Sequence, residues 1–200
     1  MPLCTQADLE KFLQIDFTNP AEPVVAYLIE GADALIAKYL GYDPSPEDAL
    51  VELYDPTFTF ELWVRRPPIR GIDSIEIDGV ALDPQAFTAY LEGESKAGLV
   101  RNLVSRWSSQ PRGIEITYDA GFAVVPFDIR DAAVRIVARA FQKGVEFSAE
   151  GSVPGIRSIS LAGSDSITWS EGADDASLGA LVLQFSERQT LSGYKRAWIA

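Results

Sequence analysis

Ile114-Glu-Ile-Thr-Tyr-Asp-Ala-Gly-Phe-Ala-Val-Val-Pro-Phe-Asp-Ile-Arg-Asp-Ala-Ala-Val-Arg-Ile-Val-Ala-Arg-Ala-Phe-Gln-Lys143 holds two structural periods and the corner between them. Ile114, Ile116 and Tyr118 alternate with Glu115, Thr117 and Asp119, the period-2 pattern of a half-buried strand. Gly121 ends that pattern, where a positive φ or a close backbone approach is expected. Pro126 stands where a helix can begin without losing a hydrogen bond. Asp128 and Asp131 follow in the first turn, beside its exposed N–H groups. Ile129, Ala132, Ala133, Ile136, Val137, Ala140 and Phe141 then form one apolar stripe at helical spacing. Arg130, Arg135, Arg139 and Lys143 lie off the stripe, and Gly144 is the expected stop.

Toward the N-terminus the helical period returns. Thr5 and Asp8 have capping-box spacing and open a short helix through about Leu13. A second helix is expected from Val24 to Leu40, closed by Gly41 and the stiff Asp43-Pro44-Ser45-Pro46 turn. From about Leu50 the period shortens. Val51, Leu53, Phe58, Phe60, Leu62 and Val64 alternate with polar or small residues. Ile69–Ile77 reads as a strand, Asp78-Gly79 as a tight hairpin turn, and Leu82–Leu91 as its second arm, interrupted by Pro84. Five or six strands are expected between about 50 and 120, with no helix long enough for a parallel crossover, so an antiparallel sheet or a small barrel-like unit should follow.

Beyond Lys143 the expectations are a loop over 144–155, short strands at Ile156–Leu161 and Ser166–Trp169, and a last helix starting near Asp175 or Ser177. That order predicts an α+β fold, mainly a helical bundle of about four helices. An antiparallel β insertion lies between the second and third long helical parts. The helical body is discontinuous, 1–49 and 126–200; the β-rich insertion is 50–125; and 188–200 forms a C-terminal arm.

Composition narrows the functions open to this chain. An apolar share of 47% is too high for a disordered chain. No apolar run approaches the roughly 20 residues of a membrane helix, and the N-terminus lacks a basic-then-apolar signal pattern. The net charge of −12 argues against a general binder of nucleic acid or anionic membrane. The acids crowd the start: residues 1–50 carry nine acids against two bases, whereas 126–200 carry nine against eight.

No histidine occurs, which removes Ser-His-Asp and Cys-His catalysis and the commonest zinc ligand. Cys4, the single cysteine, has no thiol partner within the chain and reads as a small core hydrophobe. Glycine-rich phosphate loops and nucleophile-elbow patterns are absent as well. Glu76 with Asp78 reads as the solvent face of a strand, and Asp174-Asp175 as a helix-capping pair. No catalytic, cofactor-binding or metal-binding residue is assigned, and no cofactor is expected.

Two features point to partners instead. Arg135, Arg139 and Lys143 recur at i, i+4, so their charges align on one helix face, either solvated or meeting the acidic N-terminal region of a neighbouring copy. Arg188, Tyr194, Lys195, Arg196 and Trp198 gather interface-prone side chains near the C-terminus. Trp63, Trp107 and Trp169 leave a different reading open, a β-rich ligand- or carbohydrate-binding module on a helical body, with tryptophans stacking on sugar rings.

The order of motifs carries a resemblance. The second helix ends in Tyr39-Leu40-Gly41-Tyr42. Pro68–Gly79 holds isoleucines and an Asp-Gly turn, and Gly98-Leu99-Val100 and Trp107 precede the quoted strand. That strand ends Tyr118-Asp119-Ala120-Gly121-Phe122 and runs into Pro126-Phe127-Asp128-Ile129-Arg130, and Gly155–Ser160 precedes the final helix. This pattern resembles the head–tail connector (adaptor, or head-completion) proteins of long-tailed phages. The resemblance implies a structural virion subunit rather than an enzyme, made in the host cytoplasm and assembled as a ring, usually twelvefold. The ring would dock beneath the portal protein, receive a downstream connector or tail-completion protein, and let DNA pass without sequence-specific binding or membrane contact. The residues from Arg188 on become candidates for portal docking, and Arg135, Arg139 and Lys143 for the subunit contact.

Overall fold

The strand that opens the quoted stretch is the centre of the larger sheet. In the computed structural model, which describes residues 2–15, 17, 22–55, 57–107, 110–149 and 181–195, it spans Ile114–Ala120 and is the seventh strand, β7. The others are β1 (Glu47–Tyr54), β2 (Glu61–Trp63), β3 (Ile69–Ile77), β4 (Val80–Ala81), β5 (Phe87–Ala89) and β6 (Leu99–Asn102). The helices are α1 (Gln6–Leu13), α2 (Glu22–Leu40), α3 (Phe127–Ala149) and α4 (Phe185–Ser192). The chain divides into two units, Ala37–Pro126 and Pro2–Ile36 with Phe127–Lys195, and the division falls inside α2.

In the β unit one sheet has the order β1-β7-β3-β4 and the other β2-β6-β5, all antiparallel. Along β7 buried and half-buried residues alternate strictly. Its inward residues set the register: Tyr118 lies opposite Leu50 and Ile72, Ile116 opposite Glu52 and Ile75, and Ile114 opposite Tyr54 and Ile77. Tyr54, Ile75, Ile114, Ile116 and Tyr118 join Leu62, Val64, Ile69, Val100 and Trp107 in one buried cluster, with Leu50, Ile72 and Ile77 packed against it. Asp78 and Gly79 both take positive φ, 53° and 77°, as a two-residue hairpin requires. Pro84 does not merely interrupt an arm. It opens a 3-10 turn, Pro84–Ala86, capped by Asp83.

Two arginines stitch the start of this unit to its end. The Arg66 guanidinium donates to the Asp43 and Ser45 carbonyls at 3.0 Å each and pairs with Asp43 and Glu47. Arg70 donates to the carbonyls of Glu47 and Ala120 and pairs with Asp48 at 2.6 Å. Gly121 N–H donates to the Pro68 carbonyl, and a Cβ at this glycine would lie 2.1 Å from the Ser45 carbonyl oxygen. The corner in the quoted stretch therefore needs glycine twice, for its φ of +78° and for this close approach.

In the helical unit Thr5 and Asp8 form the full capping box that starts α1. Along α2, Val25, Ile29, Ala32, Ile36 and Leu40 are buried at i, i+4, i+7, i+11 and i+15. α3 buries Ile129, Ala132, Ala133, Ile136, Val137 and Ala140, and packs with α1 and with α4. Phe17 meets Phe141 edge-on at 5.0 Å. Leu181 approaches Gly31 of α2 so closely that a Cβ there would sit 2.2 Å from Leu181 Cδ1.

The expected mainly helical bundle is overturned. Among the described residues there are four helices and seven strands in two antiparallel sheets. α1 and α4 are only eight residues each, about two turns, while the β unit holds its own contiguous core. Short strands, chiefly β3 and β7 with single residues of β1, β2 and β6, build this core, which a count of long periodic runs overlooks. Other boundaries move too. β1 begins at Glu47 rather than about 50, α3 passes Gly144 to Ala149, and α4 begins at Phe185, leaving Leu181 and Val182 ahead of it. Gly144 costs a helix interior about 1 kcal/mol against alanine, too little to stop a helix already propagated along α3. The strands expected at Ile156–Leu161 and Ser166–Trp169 lie outside the described residues.

Candidate functional site

The face chosen on α3 separates into different roles. Arg135 pairs with Asp131 one turn earlier at 2.8 Å, and its side chain stays 56% exposed. Arg139 is held within the chain. It donates to the Val182 carbonyl at 2.8 Å and pairs with Glu187, which is 4% exposed. Lys143 continues along the same helix.

Glu187 makes this arrangement a latch. One carboxylate oxygen takes Arg139, and the other accepts the Gln184 N–H at 2.7 Å. One buried carboxylate thus satisfies the first turn of α4 and anchors that helix to α3. Nothing in the sequence reading singled out Glu187. Its spacing three residues after Gln184, the capping-box interval, is the signal that points to it.

Past the latch the C-terminal candidates are placed only in part. Arg188 is exposed on α4. Tyr194 is half-buried, and its hydroxyl donates to Asp128 at 3.4 Å. Burial and the Asp128 carboxylate raise its pKa. Lys195 is exposed, and Arg196 and Trp198 lie outside the described residues. Grooves of about 270 and 130 Å³ flank the latch, both lined by Arg135, Ser186 and Glu187.

The chemistry elsewhere is that of a packed scaffold. Tyr54 and Tyr118 both donate to Glu52 Oε2, the latter at 2.8 Å, and the Tyr54 hydroxyl accepts Arg65 N–H. Burial first raises both phenols above their ordinary range, followed by the Tyr118 phenol and the Glu52 carboxylate for Tyr54, and by the Glu52 carboxylate for Tyr118. Burial pushes the Cys4 thiol up to about 12, helped by Asp33 and Asp8. Trp107 is buried with its Nε1–H on the Phe60 carbonyl, Trp63 is 36% exposed, and Trp169 lies outside the described residues, as do Asp174 and Asp175. Glu76 lies opposite Glu115 across β7. Among the described residues no group of three or more His, Cys, Asp or Glu could hold a metal ion, and no helix is long and apolar enough to cross a membrane.

The same arrangement of elements occurs in known particles. The chain is similar to a protein in the neck of an empty gene transfer agent particle computed with C6 symmetry, with a TM-score of 0.60 and 12% identity, covering 100% of this chain and 91% of that one. It is similar to a protein of the virion of the native gene transfer agent particle, at 0.59 and 11%, with coverage of 100% and 91%. A third likeness is to the native neck computed with C12 symmetry, at 0.54 and 11%, with coverage of 97% and 89%. No curated protein matches. Residues 2–153 match the family described as head completion protein, and the chain belongs to that family. It is a structural subunit of the head–tail connector of a virion.

Proposed function

We propose that this connector subunit works as a ring, twelvefold in the particle. The ring docks beneath the portal, receives the next connector or tail-completion protein, and gives passage to DNA without catalysing a reaction. The observation that carries this reading is family membership over residues 2–153, together with likeness to proteins of necks computed with C6 and C12 symmetry. Arg135 supplies the open part of a subunit-contact face, with Lys143 further along the same helix, while Arg139 is engaged with Glu187. The segment from Arg188 to Trp198 is the portal-docking arm, and the Arg139–Glu187 latch supports it by holding α4 on α3. A net charge of −12 favours a lumen that repels phosphates, so that DNA slides. The helical unit, 2–36 with 127–195, and the β unit, 37–126, are distinct bodies in this reading.

Mass measurement of the purified protein with and without its portal tests the proposal. Ring-sized particles that join the portal are expected, and a chain lacking residues 194–200 should form rings that join it poorly. A protein that stays monomeric at every concentration and beside the portal overturns the ring. Unchanged portal binding after truncation overturns the arm.

A further inference from the structure

Two apolar surfaces stay exposed once the fold is built, one on each unit; the first is basic, and the second carries an exposed carboxylate, Glu30, beside its apolar side chains. The first is a tip of the β unit. Residues 95–114 contain Lys96, Arg101, Arg106 and Arg112 and no acid, in a chain with 29 acids. Three bonds lay residues 59–60 beside residues 102–107: Asn102 N–H donates to the Phe60 carbonyl at 2.8 Å, and Trp107 donates to the carbonyls of Thr59 and Phe60 at 3.0 and 3.1 Å. Asn102 Oδ1 accepts the N–H groups of Val104 and Ser105 and fixes the turn. On this frame Phe58, Phe60, Leu103 and Val104 are 61%, 43%, 54% and 75% exposed. Phe58 has a φ of +55°, a region bulky side chains avoid, so a strained backbone holds an aromatic ring in water. Arg101 and Arg106 are exposed and make no ion pair among the described residues.

The second surface is the outer face of α2. Val24 and Tyr27 are 52% and 72% exposed, with Ala34 on the same face. Glu30 beside it is exposed and makes no ion pair among the described residues, and exposed Lys38 lies further along toward the C-terminal end of the helix. A helix that is apolar on nearly every side is one that becomes buried, and this one belongs to the acid-rich first fifty residues.

We propose that the tip of one copy docks on the outer face of α2 in the next copy. Phe58, Leu103 and Val104 cover Val24 and Tyr27, and Arg101 and Arg106 face Glu30. The occupant is a second copy because this chain carries the complementary charge and the complementary apolar stripe. Phosphate would meet the arginines but leave four apolar side chains wet. Two different surfaces meeting make a head-to-tail contact, the kind that closes rings. This inference rests on the ring reading above and names the faces that build the ring.

The test is mass photometry of three variants, with the portal supplied where the wild-type ring needs it. Val104→Asp and Tyr27→Asp each remove one face from an exposed position, so thermal melts should match wild type. Each alone should raise the concentration for half-assembly at least about tenfold. Mixed, they should form one-to-one dimers and no rings, because one tip and one α2 face remain intact. Arg101→Glu with Arg106→Glu should weaken rings, and adding Glu30→Arg should restore them in part. Wild-type rings from Val104→Asp or Tyr27→Asp overturn the contact, as does a mixture that gives no dimer. A wild-type protein that forms no ring at any concentration or on its portal overturns the ring reading, and the contact with it.

Discussion

The β unit and the helical unit hold themselves together in different ways. In the first, β7 is paired on both edges and every second residue enters one continuous core, so many contacts share the load. In the second, α4 is two turns long and depends on one buried carboxylate. A sheet core resists displacement as a whole. A latched short helix can be released by one change while the rest stays folded. A connector gains from both, a rigid body that keeps its register and an end that is positioned locally.

Four changes break or sharpen this contrast. Ile116→Ala, at a fully buried site in β7, should destabilise the β unit by about 2–5 kcal/mol and lower the midpoint of chemical unfolding. A loss under about 1 kcal/mol would show that the core is not shared as described. Glu187→Ala should cost about 2 kcal/mol, confined to α4. Hydrogen exchange should quicken over 184–195 and stay unchanged in β7.

The third change acts through pH. Tyr54 and Tyr118 have folded pKa values above their ordinary value of about 10. The folded state therefore keeps protons that the unfolded chain releases. Their contribution is complete below about pH 10 and is lost as pH rises further. Unfolding midpoints should begin to fall near pH 9, where the raised Cys4 thiol starts to contribute, and fall more steeply above about pH 10, and Tyr118→Phe should make that second fall shallower. An equal slope in that variant would remove the phenol pair from the account. Arg135→Ala, on an exposed pair, should change stability by no more than about 0.5 kcal/mol, so any loss of assembly it causes would report a contact between copies rather than a folding defect.

Much of the architecture was legible in the chain. The alternation from Ile114 to Tyr118, the Asp78-Gly79 turn, the Thr5–Asp8 capping box and the stripe from Ile129 to Phe141 are local patterns, and each appears where its period or turn chemistry placed it. The order of motifs pointed to the head completion family, which the match over residues 2–153 establishes. The balance of the fold was less legible. Long helical runs outweighed short strands in the reading, although the strands build a core of their own.

Arg139 and Glu187 illustrate the limit. They are 48 residues apart, and charge spacing along α3 grouped Arg139 with Arg135 as one face. Only folding, which brings α4 onto α3, gave Arg139 a buried partner and left Arg135 open. The quoted stretch itself divides in the same way. Sequence alone determined that Ile114–Lys143 is a strand, a glycine corner and a helix, because period and φ are properties of neighbouring residues. Tertiary structure decided that β7 is the middle strand of its sheet, and that Gly121 is required by a carbonyl 76 residues earlier, at Ser45. Contacts between residues so far apart leave no mark in local periodicity.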